Sequence, residues 1–409
     1  MIFVAIKKAI FIHKLYQMNK NPFRSFWMAG YECTDQLNYY GNRVDLLKET
    51  GHLDLIDEDY QNLSQFNIKT VREGIRWSHV EKKPYEYDWT SVAYMIERGK
   101  ANGIQQLWDI CHFGFAEDLT PLHPKFAERF AALCRAFVVF YRSVNPDDTL
   151  IVTPINEVSF ISWLGGDARA TSPYCVNQGW EVKYALMRAY IQGIVAMREV
   201  DPSVKIMTTE PLMQVVPPID ATEEEIIYAK NSNENQYQAV DILCGKMCPE
   251  LGGATNYIDI LGFNYYYNNH WVSTTHQYLK WIDNPRDSRW RPFSSLMMEA
   301  YKRYNNYPVV LTETSHPKED RPKWIKYIAE ETSILLQSNI PLWGVCIYPI
   351  IDRPDWDHLT VWHHSGLWDM EFNPGEQPRR MLNQEYAEAF LLGQAQITAS
   401  VTDPIYNFS

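Results

Sequence analysis

The chain has no excess of positive charge and no segment that divides it into parts. Its 409 residues include 38 Lys and Arg against 50 Asp and Glu, which gives a formal net charge of −12. Because no basic stripe is available to follow a phosphate backbone, we expect no nucleic-acid partner. No Gly/Ser linker, internal repeat or block of like charge interrupts the sequence, and this absence favours a single large domain.

Closely spaced cysteines are also missing. The seven cysteines are scattered, and only Cys244 and Cys248, four residues apart on a predicted helix, come near the spacing of zinc ligands. An odd and dispersed set of this kind is typical of reduced core residues. We therefore expect no metal site.

The apolar stretch at the start of the chain lacks the features of a targeting signal. Basic residues at positions 7, 8, 13 and 14 interrupt it, and no small-residue cleavage site follows. We expect residues 1–20 to be a disordered or mis-started segment and residues 21–409 to form the folded barrel described below. We also expect a cytoplasmic protein without a membrane partner. The sequence does not indicate an oligomeric state.

Aromatic residues, by contrast, are abundant. They make up 14% of the chain, with 14 Trp and 26 Tyr, more than a core of this size requires. Flat amphipathic rings are the surfaces on which the face of a pyranose stacks while its hydroxyls find polar partners. The composition is compatible with a carbohydrate ligand but is not sufficient to predict one.

Short β-like runs alternate with longer helical patterns from residue 26 onward, and eight of each can be counted. Such alternation predicts a parallel sheet covered by helices, and eight rounds predict an α/β fold of the (β/α)8 TIM-barrel type, a single domain with long βα loops. The predicted strands cover residues 26–31, 70–77, 105–110, 150–155, 205–209, 257–263, 308–311 and 343–350. The predicted helices cover residues 57–66, 89–102, 124–144, 182–200, 223–243, 294–305, 323–338 and 383–392.

Three long connections follow predicted strands 3, 6 and 8 and are rich in Trp, Pro and Asp. They cover residues 112–123, 265–292 and 352–378. Loops of that length in a compact domain are usually functional, and these three would overhang the same face of the barrel. The tryptophans of the second loop would then lie beside a cleft, although each could equally fasten the loop to the barrel. They are Trp271, Trp281 and Trp290.

Two apolar runs each end in a glutamate, Glu157 in one and Glu313 in the other. Both runs are typical of buried parallel strands that deliver a carboxylate at the C-terminal end, where enzymes built on this barrel keep their chemistry. Cleavage of a glycosidic bond with retention requires two carboxyls about 5–5.5 Å apart, one as nucleophile and one as proton donor. Either glutamate alone could cap a helix or lie in solvent, but the pair, on opposed strands 4 and 7, predicts a retaining glycosidase.

The sequences around the two glutamates resemble family 1 of the glycoside hydrolases. Residues 153–157 resemble the family's Thr-x-Asn-Glu-Pro, with two residues instead of one between Thr153 and Asn156 and with Val158 in place of the proline. Residues 311–315 resemble its (Ile/Val)-Thr-Glu-Asn-Gly, with Thr-Ser in place of Asn-Gly. The resemblance implies that Glu313 is the nucleophile, that Glu157 is the acid/base, and that Asn156 donates to the sugar 2-hydroxyl.

Two further matches imply residues that support the nucleophile. Residues 71–78 resemble the family's Arg-x-Ser-x-x-Trp-Ser segment, which implies an arginine, Arg72, beneath the nucleophile; periodicity alone allows Arg76 the same strand face. Residues 262–266 resemble Gly-x-Asn-Tyr-Tyr, with Asn264 and Tyr266 on one face of strand 6. A nearby cation and a hydrogen bond from Tyr266 would keep the nucleophile ionised.

The acid/base has the opposite requirement. Glu157 must begin protonated at the working pH, and we expect partial burial and the negative Glu313 to raise its pKa. A third strand-end carboxylate, Glu210, follows predicted strand 5. The resemblance assigns Glu210 no chemistry, and we expect it to be a sugar ligand or a structural partner.

The remaining matches imply the residues that bind the sugar. His112 stands at the position of the His in the family's His-Trp-Asp motif, and Gln36 at that of a sugar-binding glutamine after strand 1. Residues 348–356 align with Trp-Ser-Leu-x-Asp-Asn-Phe-Glu-Trp, which implies Tyr348, Asp355 and Trp356 as ligands, with Tyr348 replacing a platform tryptophan. A satisfied structural histidine and a solvated loop aspartate are the alternatives for His112 and Asp355.

The substrate that these features predict is an unphosphorylated β-glycoside or oligosaccharide, cleaved at its non-reducing end. Asp352, Asp355 and Asp357 would repel a 6-phosphate, and no Ser-x-Lys clamp follows them. Acid/base and nucleophile suffice for this reaction, so we expect no cofactor. Two alternatives stay open: a retaining barrel glycosidase that acts on longer glycans, and a catalytically silent carbohydrate-binding barrel.

Overall fold

Parallel strands closed into a barrel form the centre of the protein. The computed structural model describes residues 21–283, 285–304, 307–372 and 378–400. The barrel strands are β1 (Trp27–Gly30), β2 (Thr70–Gly74), β3 (Gln105–Cys111), β4 (Ile151–Ile155), β5 (the two segments Lys205–Ile206 and Glu210–Pro211), β6 (Leu261–Asn264), β7 (Val309–Thr314) and β8 (Leu342–Ile347). The predicted fold class is confirmed.

Closure of the sheet depends on β5. Its first segment pairs with β4 and its second with β6, while every other barrel strand pairs with its neighbours in chain order and β8 returns to β1. All of these pairings are parallel. The C-terminal ends of all strands therefore open onto one face of the barrel.

Helices cover the outside of the barrel. In chain order they are α1 (Leu46–Glu49), α2 (His52–Asn62), α3 (Trp77–Val80), α4 (Thr90–Ala101), α5 (Phe126–Val144), α6 (Val158–Gly166), α7 (Gly179–Val200), α8 (Glu223–Asn235), α9 (Gln238–Leu243), α10 (Phe293–Arg303), α11 (Arg321–Gln337) and α12 (Gln384–Ser400). A large apolar core lies between helices and sheet. Among the described residues, no helix is long and apolar enough to cross a membrane.

The barrel interior has an apolar floor and a polar upper layer. Met28, Leu107, Ile151 and Val310 belong to a buried cluster contributed by the N-terminal parts of the strands. Because side chains along a strand alternate, Asp109 on β3 lies on the same face as Leu107, one layer closer to the C-terminal ends. The buried charges of the site therefore stand on a packed apolar base.

Several predicted elements were wrong in their extent, two of them in ways that bear on the site or on the helices. The predicted strand 70–77 ends at Gly74, because Arg76 has a left-handed backbone (φ 47°) and leads into α3. The guanidinium of Arg76 pairs with Asp45 at 2.5 Å, so of the two arginines it is Arg72 that contacts Glu313. The predicted helix 223–243 is divided into α8 and α9.

The tryptophans of the loop after β6 mainly fasten that loop to the barrel. Trp281 is 7% exposed, and its ring centroid lies 5.1 Å from that of Trp324 on α11. Trp290 stacks on His270 with centroids 3.8 Å apart. For these two residues the packing alternative holds. The segment 1–20, predicted to be disordered or mis-started, lies outside the described residues.

Candidate active site

The carboxylate of Glu313 is held by two donors at the end of β7. Arg72 Nη1 donates to Oε1 at 2.8 Å, and the Tyr266 hydroxyl donates to Oε2 at 2.7 Å. Burial, followed by the charge of Glu313, raises the pKa of Tyr266 well above its usual value, so the phenol keeps the proton that it donates. Each oxygen of Glu313 thus has a charged or hydrogen-bonding partner that favours the carboxylate.

Glu157 has the opposite electrostatic environment at the end of β4. It is 9% exposed and takes a left-handed backbone (φ 46°) at the point where the chain turns into α6. Burial, followed by the charge of Glu313, raises the pKa of Glu157 well above that of a free glutamate, although Asn264 donates a hydrogen bond to Oε1 at 2.9 Å. The two glutamates therefore have different surroundings: Glu313 accepts hydrogen bonds from Arg72 and Tyr266, and Glu157 accepts one from Asn264.

Asn264 joins Glu157 to β7, the strand that carries Glu313. Its Oδ1 accepts a hydrogen bond from Thr312 Oγ1 at 2.6 Å, and its Nδ2 donates to Glu157. Thr312 is the residue before Glu313 on β7. Because both ends of the amide are occupied, the orientation of Glu157 relative to Glu313 is fixed by one buried side chain.

Asp109 is a member of the site that the sequence analysis missed. Its Oδ2 accepts from Arg72 Nη2 at 2.6 Å and lies 2.9 Å from His112 Nδ1. Burial opposes ionisation, but Arg72 and His112 outweigh it and lower the pKa of Asp109. Asp109 thereby orients both Arg72, which contacts Glu313, and His112. A charged residue within the apolar run of residues 107–110, three positions before His112, was the available signal.

Asn156 and His112 continue this network. Asn156 Oδ1 accepts from Arg72 Nη2 at 3.2 Å, and its Nδ2 lies 3.3 Å from His112 Nε2. Burial lowers the pKa of His112, but neighbouring groups that include Cys33, Asp109 and Glu32 raise it well above 6.5 overall. His112 therefore lies in a buried polar network with Asp109 and Asn156.

Tyr348 turns its hydroxyl inward beside His112. Its ring lies parallel to the His112 ring with centroids 5.6 Å apart, and the Arg72 guanidinium lies 5.0 Å from its centroid. The hydroxyl lies 3.3 Å from His112 Nε2 and 3.4 Å from Oε1 of Glu32. Glu32, a buried carboxylate just after β1, is the second residue that the sequence analysis missed.

The other three predicted sugar ligands are less closely tied to this network. Gln36 is buried, and its Oε1 has no hydrogen-bond partner. Asp355 Oδ1 accepts from the backbone N–H groups of residues 357 and 358. The Trp356 ring lies 5.0 Å from the guanidinium of Arg353. Within the described ranges, no hydrogen bond joins Gln36 or Asp355 to Glu157, Glu313 or their partners.

Glu210 contacts the backbone that follows Glu157. Its carboxylate accepts from the N–H groups of Val158 at 2.7 Å and Ser159 at 3.1 Å, the first residues of α6. A carboxylate at a helix N-terminus satisfies donors that the helix leaves unpaired. The structure therefore gives Glu210 a structural contact that fixes the turn after Glu157.

No protein-family model matches the chain, and no curated protein matches it in sequence. Solved structures do match. The structural neighbours are family 1 β-glucosidases. One from Thermotoga maritima superposes with a TM-score of 0.69 at 15% identity, covering 91% of this chain and 98% of that chain.

The same neighbour is matched in its inhibitor complexes. The complex with deoxynojirimycin gives a TM-score of 0.69 at 15% identity, covering 93% of this chain and 99% of the other. The complex with glucoimidazole gives a TM-score of 0.65 at 16% identity, covering 84% of this chain and 87% of the other. At such low identity the likeness establishes the fold, and the chemistry has to be argued from the site.

Proposed function

We propose that the protein is a retaining β-glycosidase that removes the non-reducing-end sugar of an unphosphorylated β-glycoside. The observation that carries this proposal is a pair of buried carboxyls with different hydrogen-bond partners at the C-terminal ends of β7 and β4. Glu313 receives hydrogen bonds from Arg72 and Tyr266 on its two oxygens, whereas burial and Glu313 raise the pKa of Glu157. Carboxyls whose environments push their pKa values apart are typical of acid/base and nucleophile pairs.

The first chemical step forms a covalent intermediate. Glu313 attacks the anomeric carbon while Glu157 donates its proton to the leaving oxygen, and the bond to the aglycone breaks. Asn156, positioned by Arg72 and His112, donates to the 2-hydroxyl as charge develops on the ring. Arg72 and Tyr266 hold the attacking carboxylate in place.

The second step uses the same two residues with roles reversed. Once Glu313 is esterified, its negative charge is gone, and the electrostatic contribution that raised the pKa of Glu157 disappears. Glu157 is then a base, takes a proton from water, and the hydroxide displaces Glu313 from the sugar. Two inversions at the anomeric carbon give a product with the configuration of the substrate.

The structural neighbours support a sugar ligand. The Thermotoga maritima enzymes were obtained in complex with glucoimidazole and with deoxynojirimycin. The buried network of this chain favours catalysis over simple binding, because a binding surface has little use for paired acids with opposed pKa demands. These considerations favour the enzyme over the silent carbohydrate-binding barrel.

A mechanism-based inactivator tests the proposal. A 2-deoxy-2-fluoro-β-glycosyl fluoride, offered in its gluco, galacto and manno forms, should esterify Glu313, and mass spectrometry of the digest should place the added sugar on the peptide that carries Glu313. Glu313→Gln is the matched control, because it keeps the side-chain volume and removes the nucleophile. Absence of a label with all three sugars on the folded protein, or a label on another residue, would contradict the proposal.

A further inference from the structure

The guanidinium of Arg72 is shared between two carboxylates. Its Nη1 donates to Glu313 Oε1 at 2.8 Å, and its Nη2 donates to Asp109 Oδ2 at 2.6 Å. Both Arg72 and Asp109 are 1% exposed, so this contact is made out of reach of water. One buried cation therefore faces two negative charges, and the two chemical steps proposed above use only one of them.

The charge beside Arg72 changes during the proposed reaction. Glu313 is a carboxylate before it attacks the sugar, and it is an uncharged ester in the covalent intermediate. Arg72 is too deeply buried for solvent to replace the lost charge, and a buried charge without a partner is costly. In the intermediate, Asp109 is the carboxylate that still contacts Arg72.

The fold holds Asp109 in the position that this task requires. On β3 it lies opposite Gly74 of β2, two residues beyond Arg72, so its side chain and that of Arg72 are on the same face of the sheet. A second contact, 2.9 Å between Oδ2 and His112 Nδ1, fixes the carboxylate from the other side. Burial opposes ionisation, but Arg72 and His112 outweigh it and lower the pKa of Asp109, which is therefore negatively charged at neutral pH.

We propose that Asp109 is a positioning residue that balances the charge of Arg72 while Glu313 is esterified, and that it thereby stabilises the covalent intermediate relative to the free nucleophile. The inference rests on the proposed function for the identity of that nucleophile. It gives a step in the reaction to a carboxylate that contacts neither the acid/base nor, through any motif, the family resemblance.

Removing the charge of Asp109 should affect the two chemical steps in opposite directions. Arg72 would then pair with Glu313 alone and would stabilise its carboxylate more strongly. A carboxylate that is stabilised in this way is a weaker nucleophile in the first step and a better leaving group in the second. A general disturbance of the site would instead slow both steps.

A 2-deoxy-2-fluoro-β-glycosyl fluoride measures the two steps separately. In the first step Glu313 bonds to the anomeric carbon and fluoride leaves, so the rate of inactivation reports the attack. In the second step water attacks, the ester bond breaks and Glu313 regains its charge, so the rate at which activity returns after the excess reagent is removed reports the release. The reagent has no 2-hydroxyl, so the proposed contact of Asn156 with that group does not contribute. The probe is whichever of the gluco, galacto and manno forms inactivates the unaltered protein fastest.

The test variant is Asp109→Asn, which keeps the side-chain shape and an oxygen that can accept from Arg72. We expect its rate constant of inactivation to fall about tenfold or more, and its rate of reactivation to rise at least about threefold. Asp109→Glu, which keeps the charge, should hold the ratio of the two rates within about threefold of that of the unaltered protein. Asp109→Ser removes the charge with a smaller side chain and serves if Asp109→Asn does not fold.

Glu73→Gln is the matched control for the loss of a buried carboxylate. Glu73 follows Arg72 on β2, so its side chain points to the other face of the sheet, where it is 0% exposed. It accepts from the Tyr60 hydroxyl at 2.7 Å and lies 3.1 Å from His52 Nε2. The ratio of reactivation to inactivation rates should therefore change less than about threefold in this variant.

The outcomes separate this inference from the proposed function. If Asp109→Asn slows both steps or changes neither, the assignment of Asp109 is overturned even though the reagent labels Glu313. The assignment is also overturned if Asp109→Glu or Glu73→Gln shows the same opposite changes as Asp109→Asn, because the cause would then not be the charge beside Arg72. A folded, unaltered protein that none of the three reagents inactivates would overturn the proposed function, and this inference with it.

Discussion

Replacing Glu313 with alanine is expected to abolish turnover. The change removes the group that forms the covalent bond, and removal of a nucleophile in other enzymes lowers kcat by roughly 10⁴-fold or more. Arg72 keeps its contact with Asp109 at 2.6 Å, so the barrel retains a partner for the buried guanidinium. The measurement is kcat/KM on an activated aryl β-glycoside, with thermal unfolding as the control for folding.

The comparison variant for Glu313 is Tyr266→Phe. It leaves the carboxylate in place and removes only the 2.7 Å hydrogen bond to Oε2, so it should reduce kcat/KM by about 10- to 100-fold. A Glu313→Ala protein that is folded and retains full activity would rule out Glu313 as nucleophile.

Replacing Glu157 with alanine should lower the rate by about 10²- to 10⁴-fold on a substrate with a poor leaving group. The leaving oxygen then departs without a proton, and the attacking water loses its base. On an activated aryl glycoside the first step needs no proton, so the covalent intermediate should accumulate, and added azide should restore part of the activity by attacking it. The product of that reaction should be the β-glycosyl azide. Full activity without azide would show that Glu157 is not the acid/base.

The pH dependence follows from the environment of the same residue. Because burial and Glu313 raise the pKa of Glu157 above its ordinary value, the proton needed for the first step persists into a higher pH range and is lost as the pH rises through that pKa. The alkaline limb of kcat/KM should therefore disappear in Glu157→Ala. If the alkaline limb of kcat/KM were unchanged in the variant, it would reflect the titration of a group other than Glu157.

The sequence carried enough information for the barrel and for the two glutamates. The apolar runs that end at Glu157 and Glu313 are typical of strands buried on both faces. Each pattern lies within a few consecutive residues, so it can be recognised without knowledge of contacts across space. The helix α6 was not predicted, because its start depends on a contact made across space. Glu210, more than 50 residues later, accepts from the backbone of Val158.

Glu32 and Asp109 were missed for the same reason. Asp109 lies within a predicted strand and Glu32 just after one, and the partners that give each acid its place in the site lie elsewhere in the chain. Asp109 contacts Arg72 on β2, and Glu32 contacts Arg353 after β8. Motif comparison could not find them, because it directs attention to positions that the family shares. In this site the residues around the catalytic pair differ from the family's motifs more than the pair itself does.

The stereochemistry of the product tests the central claim most directly. Proton NMR of the first minutes of hydrolysis of an aryl β-glycoside, before the sugar mutarotates, reports which anomer is released. The account predicts that the β-anomer appears first and the α-anomer only later, by mutarotation, because Glu313 and Glu157 act in two successive inversions. Initial release of the α-anomer would mean a single displacement by water and would contradict Glu313 as a covalent nucleophile.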